Sequence, residues 1–292
     1  MGRDGARSRL NLHGGVMQAD VISTGNFQTG STAEIFWNGG CFRPSAGNQT
    51  IKDLTLNMVS TNGANIDLSL LDAGQKLTWN VPFTHDPTLA GEDGGLSKTG
   101  AGTLVLAKAN TLTGLVKVEA GEVLAQVDGA VAPGVELGAD AVLNGNALSQ
   151  TLARIKGTGA CSNGTFRVTG SVAPGADGHA AGARVTVTNL TLAAGASIVC
   201  TATDTGSACD LVKVTGDLVT EGPVTVDLGR DASNPLAKTF AAKVAEIDGT
   251  VTLGGPLGGT GCGIPGSVVV VHREGHEIWA RVISAGTMLI IR

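Results

Sequence analysis

Short apolar–polar alternations fenced by glycine recur along this chain. Thr103–Leu106 and residues 115–118 are two such runs, about ten residues apart, each flanked by glycines and small polar residues. Period-two alternation over a few residues between Gly-rich breaks predicts strands. The same pattern predicts strands at 51–56, 66–70 and 76–81 ahead of this pair, and at 135–137, 141–143 and 165–169 after it. Residues 185–192 and 196–202 alternate cleanly as well. Near the end, 267–272 and 276–282 predict the arms of a hairpin turning at 273–275, with a closing strand at 288–291. Two segments depart from the pattern. Residues 174–183 predict a Gly/Ala-rich loop. Residues 231–246 fit either a short helix, capped at Ser233 or Asn234 with Pro235 in its first turn, or a strand through 239–247.

Composition sharpens this picture. Of 292 residues 44 are glycine, aromatics make up 3 %, and tyrosine is absent. A globular enzyme draws on aromatics for its core and the walls of its site. A chain rich in Gly, Ala, Val, Leu and Thr instead suits a narrow, repeated interior filled by aliphatics and turned by glycines. The net charge is −5, and the largest basic cluster is Arg3, Arg7 and Arg9, so the Lys/Arg face needed for nucleic-acid binding is missing. No long apolar run suggests a membrane-spanning helix. A membrane β-barrel would need many longer alternating strands with aromatic girdles. No apolar segment follows the N-terminal arginines as a signal peptide would require, and repeat-like sequence starts at Leu10. The expectation is therefore a fragment or a misplaced start. The cysteines are Cys41, Cys161, Cys200, Cys209 and Cys262, an odd number. Cys200 and Cys209 are near enough in sequence to staple a turn in an oxidising compartment; buried free thiols are the alternative.

The region 94–124 carries the most specific signal. Gly94, Gly95, Leu96, Lys98, Gly100, Gly102, Thr103, Leu104 and Leu106 are followed by Asn110, Thr111, Thr113 and Gly114, then Ala120, Gly121 and Leu124. This resembles the autotransporter-associated β-strand repeat of bacterial passenger proteins, with Leu112 where that family usually has tyrosine. Gly-Gly turns at 14–15 and 39–40, the stretch 163–175 and the stretch 210–216 resemble other units of such passengers, in the family's order. The resemblance implies an all-β chain folded as a right-handed parallel β-helix, one continuous solenoid over 1–292. Within it, 10–125 would be an N-terminal repeat region with the core repeat at 94–124, 126–230 further rungs, and 231–292 a C-terminal capping region. At roughly 20 residues per rung and ~4.8 Å between rungs, such a rod would be on the order of 60 Å long. The implied role is that of a non-enzymatic, secreted or cell-surface rod, an adhesin or display stalk. Its partners would be host or microbial glycans or surface proteins. A carbohydrate-active β-helix enzyme, a polysaccharide lyase or glycosidase, is the alternative.

Candidate chemistry is sparse. His272 and His276 have the spacing of a metal pair, but valines before them and Arg273 between them favour a solvated hairpin tip over a zinc helix. Lys98-Thr99 among glycines lacks the preceding Gly and following helix of a phosphate loop. Carboxylates for glycan cleavage could come from Asp67 with Asp72, Asp204 with Asp210, or Asp53 with Asp72. Trp37, Trp79 and Trp279 could stack on sugars or plug the core. His13, His85 and His179 are isolated and expected at the surface. No catalytic, cofactor-binding or metal residue is nominated.

Overall fold

The computed structural model describes residues 7–20, 22, 31–175, 180–203, 208–230, 239–261 and 266–284. Among them every regular element is a strand, and no helix is long and apolar enough to cross a membrane. The chain divides into two compact units, Met1–Leu152 with Cys161–Gly164, and Ala153–Ala160 with Thr165–Arg292.

The first unit is built from three parallel ladders. One joins Arg7–Leu12, Thr32–Trp37, Leu56–Val59 and Thr84–His85. A second joins Val16–Ala19, Cys41–Pro44, Ala64–Asp67 and Leu96–Thr99, then Val116–Ala125 and Gly134–Gly157. The third joins Gln49–Ile51, Lys76–Trp79 and Thr103–Leu106, and returns to Val116–Ala125. A register shift between Val118 and Ala120 lets one long strand serve two ladders.

Parallel in-register pairing stacks residues of the same parity, so the alternation of each strand becomes a column. Leu77, Leu104, Val123 and Leu143 form one such inward column, and all four are buried. Ala64 pairs with Leu96, Leu96 with Val116, and Val116 with Val135. Between Leu96 and Val135 the step therefore contracts to roughly 20 residues.

The longer steps before Gly94 enclose the large aromatics. Trp37, Trp79, Phe42 and Phe83 are all fully buried. Trp79 stacks on Phe83 with centroids 5.0 Å apart, and Trp37 lies 5.8 Å from Trp79. Trp37 Nε1 donates to Oδ1 of buried Asn57 at 2.7 Å, whereas Trp79 Nε1 is buried without an acceptor. Loss of a buried partner costs about 1–3 kcal/mol, because the orphaned group stays desolvated. Trp37→Phe is thus expected to lower stability by about 1–2 kcal/mol more than Trp79→Phe does, a difference that paired urea titrations will measure.

The second unit repeats the plan. Arg184–Leu192 pairs in parallel with Leu211–Val214 through its first half and with Leu218–Thr220 through its second. These continue to Phe240–Ile247 and Val251–Leu253, while Ser197–Ala202, Val224–Arg230 and Leu257–Gly261 form the third ladder. Phe240–Ile247 also pairs antiparallel with Glu277–Ser284, which pairs antiparallel with Ser267–Glu274. This hairpin covers a strand that would otherwise present an open edge. An ionic strap crosses the junction. Lys213 bridges Glu246 at 2.7 Å and Asp248, and Lys243 bridges Glu246 at 2.8 Å and Glu277 at 2.9 Å. The two lysines hold the Glu246 carboxyl down at about 2.

Several expected boundaries move, each for a local reason. The run at 51–56 is broken into Gln49–Ile51 and Leu56–Val59, in different ladders, by a turn in which Asp53 has φ 63°. The strand expected at 66–70 ends at Asp67, whose carboxylate accepts the Ser69 N–H at 2.9 Å. Of the two alternatives at 231–246, the strand is present as Phe240–Ile247, while 231–238 lie outside the described residues. The C-terminal turn sits at Gly275–His276 rather than 273–275, because Gly275 takes the positive φ of 58°. The expected strand at 288–291, His179, Asp204 and Cys262 also lie outside the described residues.

Candidate functional site

A dense polar cluster lies at the turn just before Leu96–Thr99. Asp93 is 4 % exposed, and its carboxylate is saturated with donors. Oδ1 accepts the N–H of Gly95 at 2.9 Å and of Gly114 at 3.0 Å. Oδ2 accepts the Thr113 N–H at 2.8 Å and the Thr113 hydroxyl at 3.0 Å, and faces His85 Nδ1 at 3.0 Å. The Asp93 N–H donates in turn to Thr113 Oγ1 at 2.8 Å. Burial pushes the Asp93 carboxyl up, but the three backbone N–H groups and His85 more than offset it and leave the pKa below its ordinary value. The bond to Gly95 is a local Asx turn, and those to Thr113 and Gly114 reach one step along the ladder.

Thr113, His85 and Asp93 are the residue types of a hydroxyl–imidazole–carboxylate relay. Such a relay uses both ring nitrogens, one on the carboxylate and one on the nucleophile. Here Nδ1 faces both oxygens, with Thr113 Oγ1 at 3.1 Å, while the hydroxyl donates to Asp93. The hydroxyl is therefore held rather than activated. His85, expected as an isolated surface residue, is three-quarters buried in this cluster, with its side chain 22 % exposed.

The same device recurs at other corners. Asn38 Oδ1 accepts the Asn62 N–H at 3.1 Å and its side-chain amide at 2.9 Å. Asn189 Oδ1 accepts the Asp217 N–H at 3.0 Å, and Asp217 Oδ1 accepts the Thr250 N–H at 2.7 Å. Buried Asp210 accepts from Gly182 and Ala183 on Oδ1, at 3.0 and 2.9 Å, and from Thr201 on Oδ2 at 2.7 Å. Glycine is required beside these corners. A Cβ on Gly114 would overlap the Asp93 carbonyl, and one on Gly249 would lie 2.5 Å from Asp217 Oδ1.

Lys98 is the other unusual group. It occupies an inward column between Ile66 and Val118 and is fully buried. Its ammonium reaches the carbonyls of Gly100 at 2.5 Å and Ala120 at 2.6 Å. Burial draws its pKa down to about 8, against an upward pull from Glu122. Between about pH 8 and the ordinary lysine value of ~10.4, the unfolded chain holds this proton and the folded one does not. Stability supplied by Lys98 therefore rises with pH across that window. Wild type is expected to gain on Lys98→Met between pH 8 and 10 in urea titrations, and an unchanged difference would refute the assignment.

The structure disperses the other sequence candidates. Asp67 is ion-paired with Arg43; burial raises its carboxyl, but Ser69 and Arg43 bring it below its ordinary value. Asp53 is exposed beside Lys52, and Asp72 sits in an exposed turn with Gln75. His272 faces Glu274 at 2.7 Å, while His276 Nδ1 lies 2.8 Å from the Gly249 carbonyl, so the two rings serve different partners. Trp37 and Trp79 belong to the core. Trp279 is half-buried on the hairpin, its Nε1 donating to Glu277 at 2.9 Å. The residue that sequence reasoning missed is Asp93. Its signal was an acidic residue directly before Gly94-Gly95 at the head of a strand. No protein-family model matches the chain, and no curated protein matches it.

Proposed function

We propose that this chain is a non-enzymatic scaffold from a secreted or cell-surface passenger-type protein, acting as an adhesin or display stalk. In this proposal the parallel ladders of each unit wind as a right-handed β-helix. The observation that carries it is the use made of the polar corner residues. Asp93, Asn38, Asn189, Asp210 and Asp217 spend their side chains on backbone N–H groups, several of them one ladder step away. Such bonds fix register between repeats and leave those carboxylates committed to the scaffold. The resemblance of 94–124 to the autotransporter-associated repeat supports the same role. Ligand contacts would then be spread over outward residues and tolerate single substitutions.

The test incubates the purified 292-residue protein with a panel of host and microbial polysaccharides, scoring retention and new reducing or unsaturated ends together. Retention without cleavage is the result expected of an adhesin. Cleavage of any polymer would overturn the proposal in favour of a carbohydrate-active enzyme.

A further inference from the structure

In the second unit, the backbone doubles back just after Ser197–Ala202. Ala202 pairs antiparallel with Cys209, and the Thr203 N–H donates to the Ala208 carbonyl at 2.8 Å. Closer to the ladder, the Asp210 N–H donates to the Thr201 carbonyl at 2.9 Å, and the Thr201 N–H to Asp210 Oδ2 at 2.7 Å. The residues flanking Cys200 and Cys209 are thereby tied together. Both cysteines carry free thiols, and because Cys200 shares the parity of Ala202, which pairs antiparallel with Cys209, the two side chains fall on the same face of this reversal. Cys200 is buried in the inward row, whereas Cys209 is partly exposed.

We propose that Cys200 and Cys209 are a disulfide-forming pair that closes this reversal when the protein meets a small-molecule disulfide oxidant. Cys209, the accessible thiol, loses its proton to solvent, and its thiolate attacks one sulfur of the oxidant. A mixed disulfide forms and the first thiolate leaves. Cys200 then loses its proton and attacks the Cys209 sulfur, and the second thiolate leaves. Two protein thiols are oxidised to one disulfide, and one oxidant disulfide is reduced to two thiols. The neighbouring Cys209, together with burial, pushes the Cys200 thiol well up, so Cys200 acts second. Of the other described cysteines, Cys41 lies on an outward position of Cys41–Pro44 and Cys161 is buried. Once formed, the bond would be shielded on its Cys200 side from external reductants.

The experiment exposes the full chain, reduced and then freed of reductant, to oxidised glutathione at mildly alkaline pH. Intact mass and a non-reducing digest follow. The expected result is the loss of two hydrogen atoms, a peptide linking Cys200 to Cys209, and a raised urea midpoint that dithiothreitol reverses. A persistent glutathione adduct on Cys209, linkage through Cys41, Cys161 or Cys262, or an unchanged mass would each overturn the proposal. A linked pair that lowers the urea midpoint would overturn it as well, because the native backbone would then not hold the thiols in reach.

Discussion

Asp93→Ala is expected to destabilise the first unit by about 3–5 kcal/mol, the range for removing one partner of a buried charged network. The substitution strips the acceptor from three backbone N–H groups, those of Gly95, Thr113 and Gly114. Their carrier is 4 % exposed, so water cannot readily replace the carboxylate without opening the turn. Net stability of a folded domain is only about 5–15 kcal/mol, so this one side chain controls a large share of it. Asp93→Asn keeps one carbonyl oxygen but turns the other acceptor into a donor facing donors, and should fall between wild type and alanine. The pH dependence follows from the lowered pKa. An acid whose folded pKa lies below its unfolded value contributes fully above the unfolded value, near 3.9, and loses that contribution as pH falls through the folded one. The gap between wild type and Asp93→Ala should thus be constant at neutral pH and shrink below about pH 4. Urea titrations across that range measure it, and a gap independent of pH down to 2 would remove the carboxylate from the account.

Gly95→Ala should be nearly as damaging, for two separable reasons. Gly95 has φ +71°, and an added Cβ would overlap the Leu115 carbonyl oxygen at the entry to the next strand, Val116–Ala125. Left-handed strain costs a non-glycine residue about 1–2 kcal/mol, and forcing a methyl into packed backbone about 1–3 kcal/mol more. The overlap is with backbone, which cannot rotate away as a side chain would. Gly74→Ala supplies the control: its φ is +93°, but a Cβ there meets nothing within 4 Å. It should pay the conformational cost alone. Comparable losses at the two positions would mean that close approach between neighbouring strands is not what selects glycine at the Gly94-Gly95 corner.

Much of the secondary structure was legible before any tertiary contact was known. Thr103–Leu106 falls at its expected bounds, Arg184–Leu192 and Ser197–Ala202 differ from theirs by one residue at the start, and the C-terminal hairpin is present with its turn moved. These succeed because alternation is a local property, fixed by which face of one strand meets the core. The break at Asp53 was only faintly legible: the successive polar residues Lys52-Asp53 shift the apolar parity between Ile51 and Leu54, but only the pairing of Ile51 with Trp79 and Leu56 with Glu34 sends the two halves to different ladders. The cluster was partly legible. Gly94, Gly95, Thr113 and Gly114 all belonged to the recognised pattern, while Asp93 and His85 lay just outside it.

By itself, then, the amino-acid order determined an all-β chain, the parity that buries Val116 and Val118 but not Lys117, and the positions where glycine must turn. Parity even placed Lys98 on the side of Leu96, which is buried with it. Tertiary structure alone decided what each residue meets one repeat further on. It brought Asp93 to Thr113 and Gly114, Lys98 to the Ala120 carbonyl, and Trp37 to Asn57. The physical reason is that a strand's own sequence fixes its faces, whereas its neighbours along a ladder depend on the length of chain between them. That length changes along this molecule, from the long step between Ala64 and Leu96 to the short one between Leu96 and Val116.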